Sequence, residues 1–138
     1  MNRSSSGGSM RKYTWFLVAL YVCALGGCRQ ARLQAHMQGK SQTTLYNVCT
    51  LVDLVESESK EPAPVELPEL VDWLSEHGGG EESYIDYRQG TIRDAWGHSL
   101  VVIAESGKFV GLGSPGPDGR WENGKGDDII VTLEEVKQ

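Results

Sequence analysis

Apolar residues recur at three- and four-residue steps between Arg29 and about Glu58: Leu33, Met37, Leu45, Val48, Leu51, Val52 and Val55. That period belongs to an amphipathic helix. Its first turns, with Gln30, Gln34, Gln38, Gly39 and Lys40, are polar and read as a spacer, with Gly39 a point of interruption. Thr44 to Val55 is the strongest part and predicts the face that packs on a sheet. Cys49 lies beside that face and reads as a buried, inert thiol. Glu58 to Glu66, with Pro62 and Pro64, reads as a loop. Pro68 then opens a short helix to about Glu76 with Leu70, Val71 and Leu74 apolar, Trp73 at the core edge and Gly78-Gly79-Gly80 as the stop.

The pattern then changes to strands. Tyr84-Ile85-Asp86-Tyr87 reads as a short strand or as a loop lying over the sheet, and Gly90 marks a turn. Leu100 to Ala104 and Lys108 to Leu112 are strands joined by Glu105-Ser106-Gly107, a hairpin signature. Ile129 to Leu133 predicts a third strand, and Glu134 to Gln138 a frayed tail. Helices followed by an antiparallel meander give an α+β class, and 138 residues suggest one domain.

The N-terminal pattern is of another kind. Met1 to Ser9 is rich in Ser and Gly, and Met10 is an alternative start. Arg11 and Lys12 precede an apolar run from Thr14 to Ala24, the length of a signal-peptide core and short of a spanning helix. The run closes with Leu25-Gly26-Gly27-Cys28, which resembles the bacterial lipobox. Residues 1–27 are therefore expected to be a signal peptide, with lipidation at Cys28; an ordinary signal peptide or an uncleaved anchor is the alternative. Residues 28–43 would be the polar spacer and helix start, and 44–138 the globular domain. The expected location is the periplasmic face or the cell surface of a bacterium, with the lipid holding the chain to a membrane.

Removing the first 27 residues, which hold Arg3, Arg11 and Lys12 and no acid, takes the formal charge from −6 to −9. So acidic a chain, with no basic patch, argues against nucleic acid as a partner. Cys23, Cys28 and Cys49 make neither a disulfide framework nor a zinc-type pair.

Chemistry concentrates between the last two strands, from Gly113 to Asp128. This stretch is rich in Gly, carries Asp118, Glu122, Asp127 and Asp128, and has little aliphatic content. So long a loop without its own pattern is usually functional or disordered. Crowded acids repel unless positive charge sits among them. Lys125 and Arg120 supply part of it, and a hard divalent cation held by carboxylates and loop carbonyls would supply more. The spacing is not that of an EF-hand. From the residues alone, calcium and a plain acidic solvent loop both remain open. Trp121 is the one large apolar group in the loop; it either packs back on the sheet, the favoured reading, or contacts a partner.

Asp94-Ala95-Trp96-Gly97-His98, a hairpin, Ser114-Pro115-Gly116-Pro117-Asp118-Gly119 and Gly126-Asp127-Asp128-Ile129 follow one another in an order that resembles the C-terminal half of the G-type major pseudopilin of type II secretion. The match runs from Asp94 to about Val131. It implies a small antiparallel sheet packed on a long N-terminal helix, with a structural calcium ion pinning the last loop. It also implies side-chain ligands at Asp118, Asp127 and Asp128, and carbonyl ligands near Pro115 and Lys125. Ala95 and His98 depart from the family's usual Pro and Asn, and the Asp118–Asp127 connection is longer. The N-terminus departs most, since it lacks the Phe-rich, Glu-containing start through which such proteins polymerise.

The resulting expectation is a non-enzymatic, lipid-anchored protein with a calcium-stabilised pseudopilin G-like domain. It would be a structural or interaction component related to type II secretion, with partners in a secretion or pilus-like assembly. The alternatives are a small periplasmic enzyme using Asp94 and His98, and a metal-free structural lipoprotein. For Asp94 and His98 the favoured reading is a structural turn, with Asp94 bonding local amides, Trp96 filling the core and Gly97 in an unusual φ. His36 and His77 read as exposed helix residues, and Glu81-Glu82 as a solvated turn.

Overall fold

The computed structural model describes residues 10–77 and 84–138, with side chains from residue 27 onward. The elements are α1 (Met10–Ser59), α2 (Leu67–Glu76), β1 (Ile85–Asp86), β2 (Thr91–Ile92), β3 (Val101–Glu105), β4 (Lys108–Ser114), β5 (Ile129–Thr132) and α3 (Leu133–Val136). The class is α+β. The chain divides into two units, Met1–Ala35 and His36–Gln138. In the first, Leu33, which shares the helical spacing, is 59% exposed. Met1 to Ser9, the Ser/Gly-rich lead, lies outside the described residues.

In the second unit the helix runs on without a break at Gly39. The expected interruption does not occur, because one Gly costs a helix only about 1 kcal/mol. Burial begins at Ser41 and continues through Thr44, Leu45, Val48, Cys49, Val52 and Val55, steps of three and four residues. Each fully buried Leu or Val adds about 1.5–3 kcal/mol. The face packs on the sheet, where Cys49 Sγ donates to the Val131 carbonyl at 3.5 Å. Burial pushes this thiol up to about 12, which leaves it protonated and inert at neutral pH. The helix ends at Ser59; Lys60 takes a positive φ of 64° and donates its N–H to the Glu56 carbonyl at 3.1 Å. Glu56 Oε1 accepts from Ala63 N at 2.8 Å and so ties down the proline-rich loop.

Pro in the first turn of α2 needs no intrahelical donor, as predicted. Leu70, Val71, Trp73 and Leu74 are its buried residues. His77 is half-buried rather than exposed. Its Nδ1 lies 2.8 Å from the Trp73 carbonyl and its ring 5.1 Å from the Trp73 ring. His36 is exposed, as expected. Gly78-Gly79-Gly80 and Glu81-Glu82 lie outside the described residues.

β1 and β2 form a two-stranded antiparallel ribbon, Ile85 opposite Ile92 and Asp86 opposite Thr91. β2 is an addition to the expected elements. The main sheet has the order β3-β4-β5, all antiparallel. Register places Val102, Leu112 and Val131 in one row and Val101, Gly113 and Ile130 in the next, so the two rows face opposite sides. The first row faces the core. On the second, a Cβ on Gly113 would lie 2.3 Å from the Trp121 ring, so the indole packs against the strand where no side chain intervenes. Trp121 therefore packs back on the sheet, as favoured above.

The C-terminal tail is not frayed. Thr132 accepts from Glu135 N and Glu135 reaches back to Thr132 N, a capping box that opens α3. Lys137 Nζ adds an ion pair with Asp53 of α1 at 2.9 Å.

Candidate functional site

Asp94 sits between the ribbon and the main sheet, in the turn that follows β2. Its Oδ1 accepts from Trp96 N at 3.0 Å and from His98 N at 2.8 Å. Its Oδ2 accepts from Ser114 Oγ at 2.7 Å, across 20 residues of chain. Ser114, fully buried at the end of β4, accepts in turn from Gly116 N at 3.2 Å. Ser41 on α1 accepts from Ala95 N at 2.9 Å. The turn thus joins helix, sheet and loop. Gly97 adopts a φ of 89°, which an L side chain rarely tolerates. The expected structural turn is present, except that Trp96 is half-buried and lies outside the core cluster.

His98 does not complete a catalytic relay with these groups. Its Nδ1 is 2.9 Å from the Gly116 carbonyl and 3.7 Å from Asp94 Oδ2. The Ser114 hydroxyl donates to the aspartate, not to the histidine. A cavity of about 300 Å³ touches Asp94, with Lys40, Thr44, Tyr84, Asp86, Arg93 and Ala95 as its other walls. Neither His98 nor any residue of the acidic loop lines it.

The acidic loop begins where Ser114 is held. Pro115 and Gly116 are buried, Asp118 is exposed, and Asp127 and Asp128 are half-buried. Gly116 has a φ of 67°, and a Cβ there would lie 2.4 Å from the Asp127 carbonyl and 2.7 Å from Asp127 Oδ2. Only glycine permits that approach, which seats Asp127 against the Pro115–Gly116 turn. Asp127 Oδ2 then accepts from Asp118 N at 3.3 Å, while Asp118 Oδ1 accepts from Arg120 N at 2.8 Å. Asp128 turns elsewhere. Its Oδ2 accepts from Glu122 N at 2.8 Å and Gly124 N at 2.9 Å, and its own N–H donates to the Lys125 carbonyl at 3.2 Å.

Comparison with known proteins gives no match. No family model, curated protein or solved structure is similar to this chain at the level that would mark a relative.

Of the expected ligands, then, Asp127, Asp118 and the Pro115 turn are neighbours, and Asp128 and Lys125 form a second group. Among the described residues, no three acidic, His or Cys side chains converge at metal-binding separation. Two buried side-chain atoms among the described residues lack a hydrogen-bond partner, Trp73 Nε1 in α2 and one in this loop. Asp128 Oδ1 is buried and has no hydrogen-bond partner among the described residues. A buried polar atom left unpaired costs about 1–3 kcal/mol, and more when charged. A cation would remove that cost, as would a water molecule or another donor, so Asp128 Oδ1 is an oxygen available to a calcium ion.

Ser114 and Ser41 are the partners that sequence reasoning missed. A lone serine carries no pattern. The one available signal was a small polar residue closing an apolar strand.

Cys28, the expected lipidation site, is an exposed free thiol on α1. Among the described residues, no helix is long and apolar enough to cross a membrane.

Proposed function

We propose that this chain is an exported, lipid-anchored protein whose globular domain is pseudopilin G-like, and that calcium completes its last loop. Its role is structural or interactive, related to type II secretion, rather than catalytic. The order of the Asp94 turn, the hairpin, the Ser114–Asp118 segment and the Asp127-Asp128 pair supports the family reading. The observation that carries the metal reading is the unpaired buried oxygen of Asp128. Asp118, Asp127 and Asp128, with the carbonyls of Pro115 and Lys125, would hold the ion only once their two groups draw together, since no three of these side chains converge among the described residues. When bound, the ion supplies positive charge among the carboxylates and no reaction chemistry.

A second reading has its own support. Asp118, Asp127 and Asp128 each already accept from a backbone amide, and such bonds alone can order an acidic loop. This is the metal-free structural lipoprotein. Thermal melting of the full chain in mild detergent separates the two. Calcium at a hundredfold excess over its Kd adds about 2.7 kcal/mol of stability and raises the Tm. Asp118→Ala with Asp127→Ala abolishes the rise. Identical curves in calcium and chelator reject the metal. Incorporation of labelled palmitate, lost in Cys28→Ser, tests the anchor.

A further inference from the structure

The cavity beside Asp94 is lined by no residue of the acidic loop and not by Cys28. From Asp53 onward the chain carries all 19 of its acidic residues. Yet Lys40 and Arg93 both line this cavity, and among the described residues neither belongs to an ion pair, those present being His77–Glu61, His98–Asp94 and Lys137–Asp53.

Two carboxylates, Asp86 and Asp94, share the wall with the two cations and keep their charge, but most of their oxygens accept from the protein's own donors. Asp94 is saturated by two amides and the Ser114 hydroxyl. Asp86 Oδ1 accepts from the N–H groups of Arg88 and Gln89, both at 3.1 Å. Arg93 is held in place without being neutralised. One terminal nitrogen donates to the Gly97 carbonyl and the other to Gln89 Oε1, both at 2.9 Å. These neutral acceptors fix the guanidinium plane and use two of its five N–H donors. Lys40 comes from α1, with Thr44 one turn further along the same face. A held, charged fork with unused donors on Arg93, and Lys40 lining the same recess, make an arrangement suited to an oxyanion.

We propose that this cavity binds the oxyanion group, carboxylate or phosphate, of a small ligand, with Arg93 as the orienting donor and Lys40 as the second charge. The volume, about 300 Å³, admits a group of that size. Asp86 remains the one carboxylate of the wall not wholly occupied by donors, so a ligand that also carries a cationic group binds more tightly than a plain anion. The inference stands apart from the calcium reading.

The test is a titration of the full chain in mild detergent with sodium acetate and, separately, inorganic phosphate. Chelator is present throughout and sodium chloride keeps ionic strength constant. Amide chemical shifts are the readout. The expected result is a saturable shift confined to Lys40, Thr44 and the Arg93–Ala95 turn, for one or both anions. The anion that binds more tightly assigns the chemistry. Arg93→Gln weakens binding about tenfold or more, because it removes the charged orienting donors. Lys40→Gln, at an exposed helix position that tolerates change, weakens it severalfold, and Arg93→Lys gives an intermediate value. Shifts that sodium chloride alone reproduces, or an Arg93→Gln protein that binds unchanged, overturn the proposal.

Discussion

Asp94 and Asp128 are both acidic residues with a buried carboxylate oxygen at one end of the same sheet, but their hydrogen bonding differs. Asp94 has both oxygens in use, three donors in all, one of them brought from β4. Asp128 has two amides on Oδ2 and none on its buried Oδ1. The first is a finished latch: charge, geometry and burial agree, and nothing further is required. The second is half of one. In a low-dielectric pocket an unmatched charge costs more than a matched one returns, so the two carboxylates respond to mutation in opposite ways.

The largest effect is expected at Asp94. Asp94→Ala leaves the amides of Trp96 and His98 and the Ser114 hydroxyl without their acceptor. Truncating one partner of such a buried charged network costs about 3–5 kcal/mol, measured as the loss of unfolding free energy in urea. Asp94→Asn keeps an acceptor for the two amides and lets Ser114 reorient, so it costs less than half as much. An Asp94→Ala protein as stable as the wild type would mean that the latch contributes nothing and that the comparison with Asp128 is empty.

Asp128→Asn acts on the other side. The amide oxygen replaces Oδ2 for Glu122 and Gly124, and a neutral NH2 takes the place of the unpaired oxygen. In chelator the variant is as stable as the wild type or more so, because an uncompensated charge has gone. In calcium it loses the gain of about 2.7 kcal/mol expected for the wild type at a hundredfold excess over Kd. Melting curves in both buffers check this. If the variant is destabilised in chelator by as much as Asp94→Ala, Asp128 is a complete latch too, and the case for an ion at this loop is lost.

Periodicity made the scaffold readable. The stretch Thr44 to Val55, the β3–β4 hairpin and β5 follow from apolar residues repeating with helical or strand period, because each period puts one face in the core. Leu33 shares that spacing but is exposed. Spacing reports a face, not what covers it. β2 escaped notice because two residues are too few to show alternation. The loop's carboxylates were visible as a cluster, but their partners were not. Asp118, Asp127 and Asp128 bind amides whose positions depend on glycines in left-handed conformations, and Asp94 finds Ser114 only once β3 and β4 have paired. Hydrogen bonds between distant small residues leave no periodic trace.

The tail gives the smallest effect, and it shows what exposure does to a carboxylate–amide arrangement of the same kind. Glu135 Oε2 accepts from Thr132 N at 2.7 Å and from Thr132 Oγ1 at 3.1 Å, and Thr132 Oγ1 accepts from Glu135 N at 3.3 Å. The sequence Thr132-Leu133-Glu134-Glu135 carries this capping box openly, yet the tail reads as frayed because α3 spans only Leu133–Val136. Water competes for each of these groups, so removing one strands nothing in a dry site. Thr132→Ala should cost about 1 kcal/mol, well below Asp94→Ala, with faster amide exchange confined to α3 and the end of β5. A cost equal to that of Asp94→Ala would show that burial is not what separates the two, and the contrast between finished and unfinished carboxylates would need another cause.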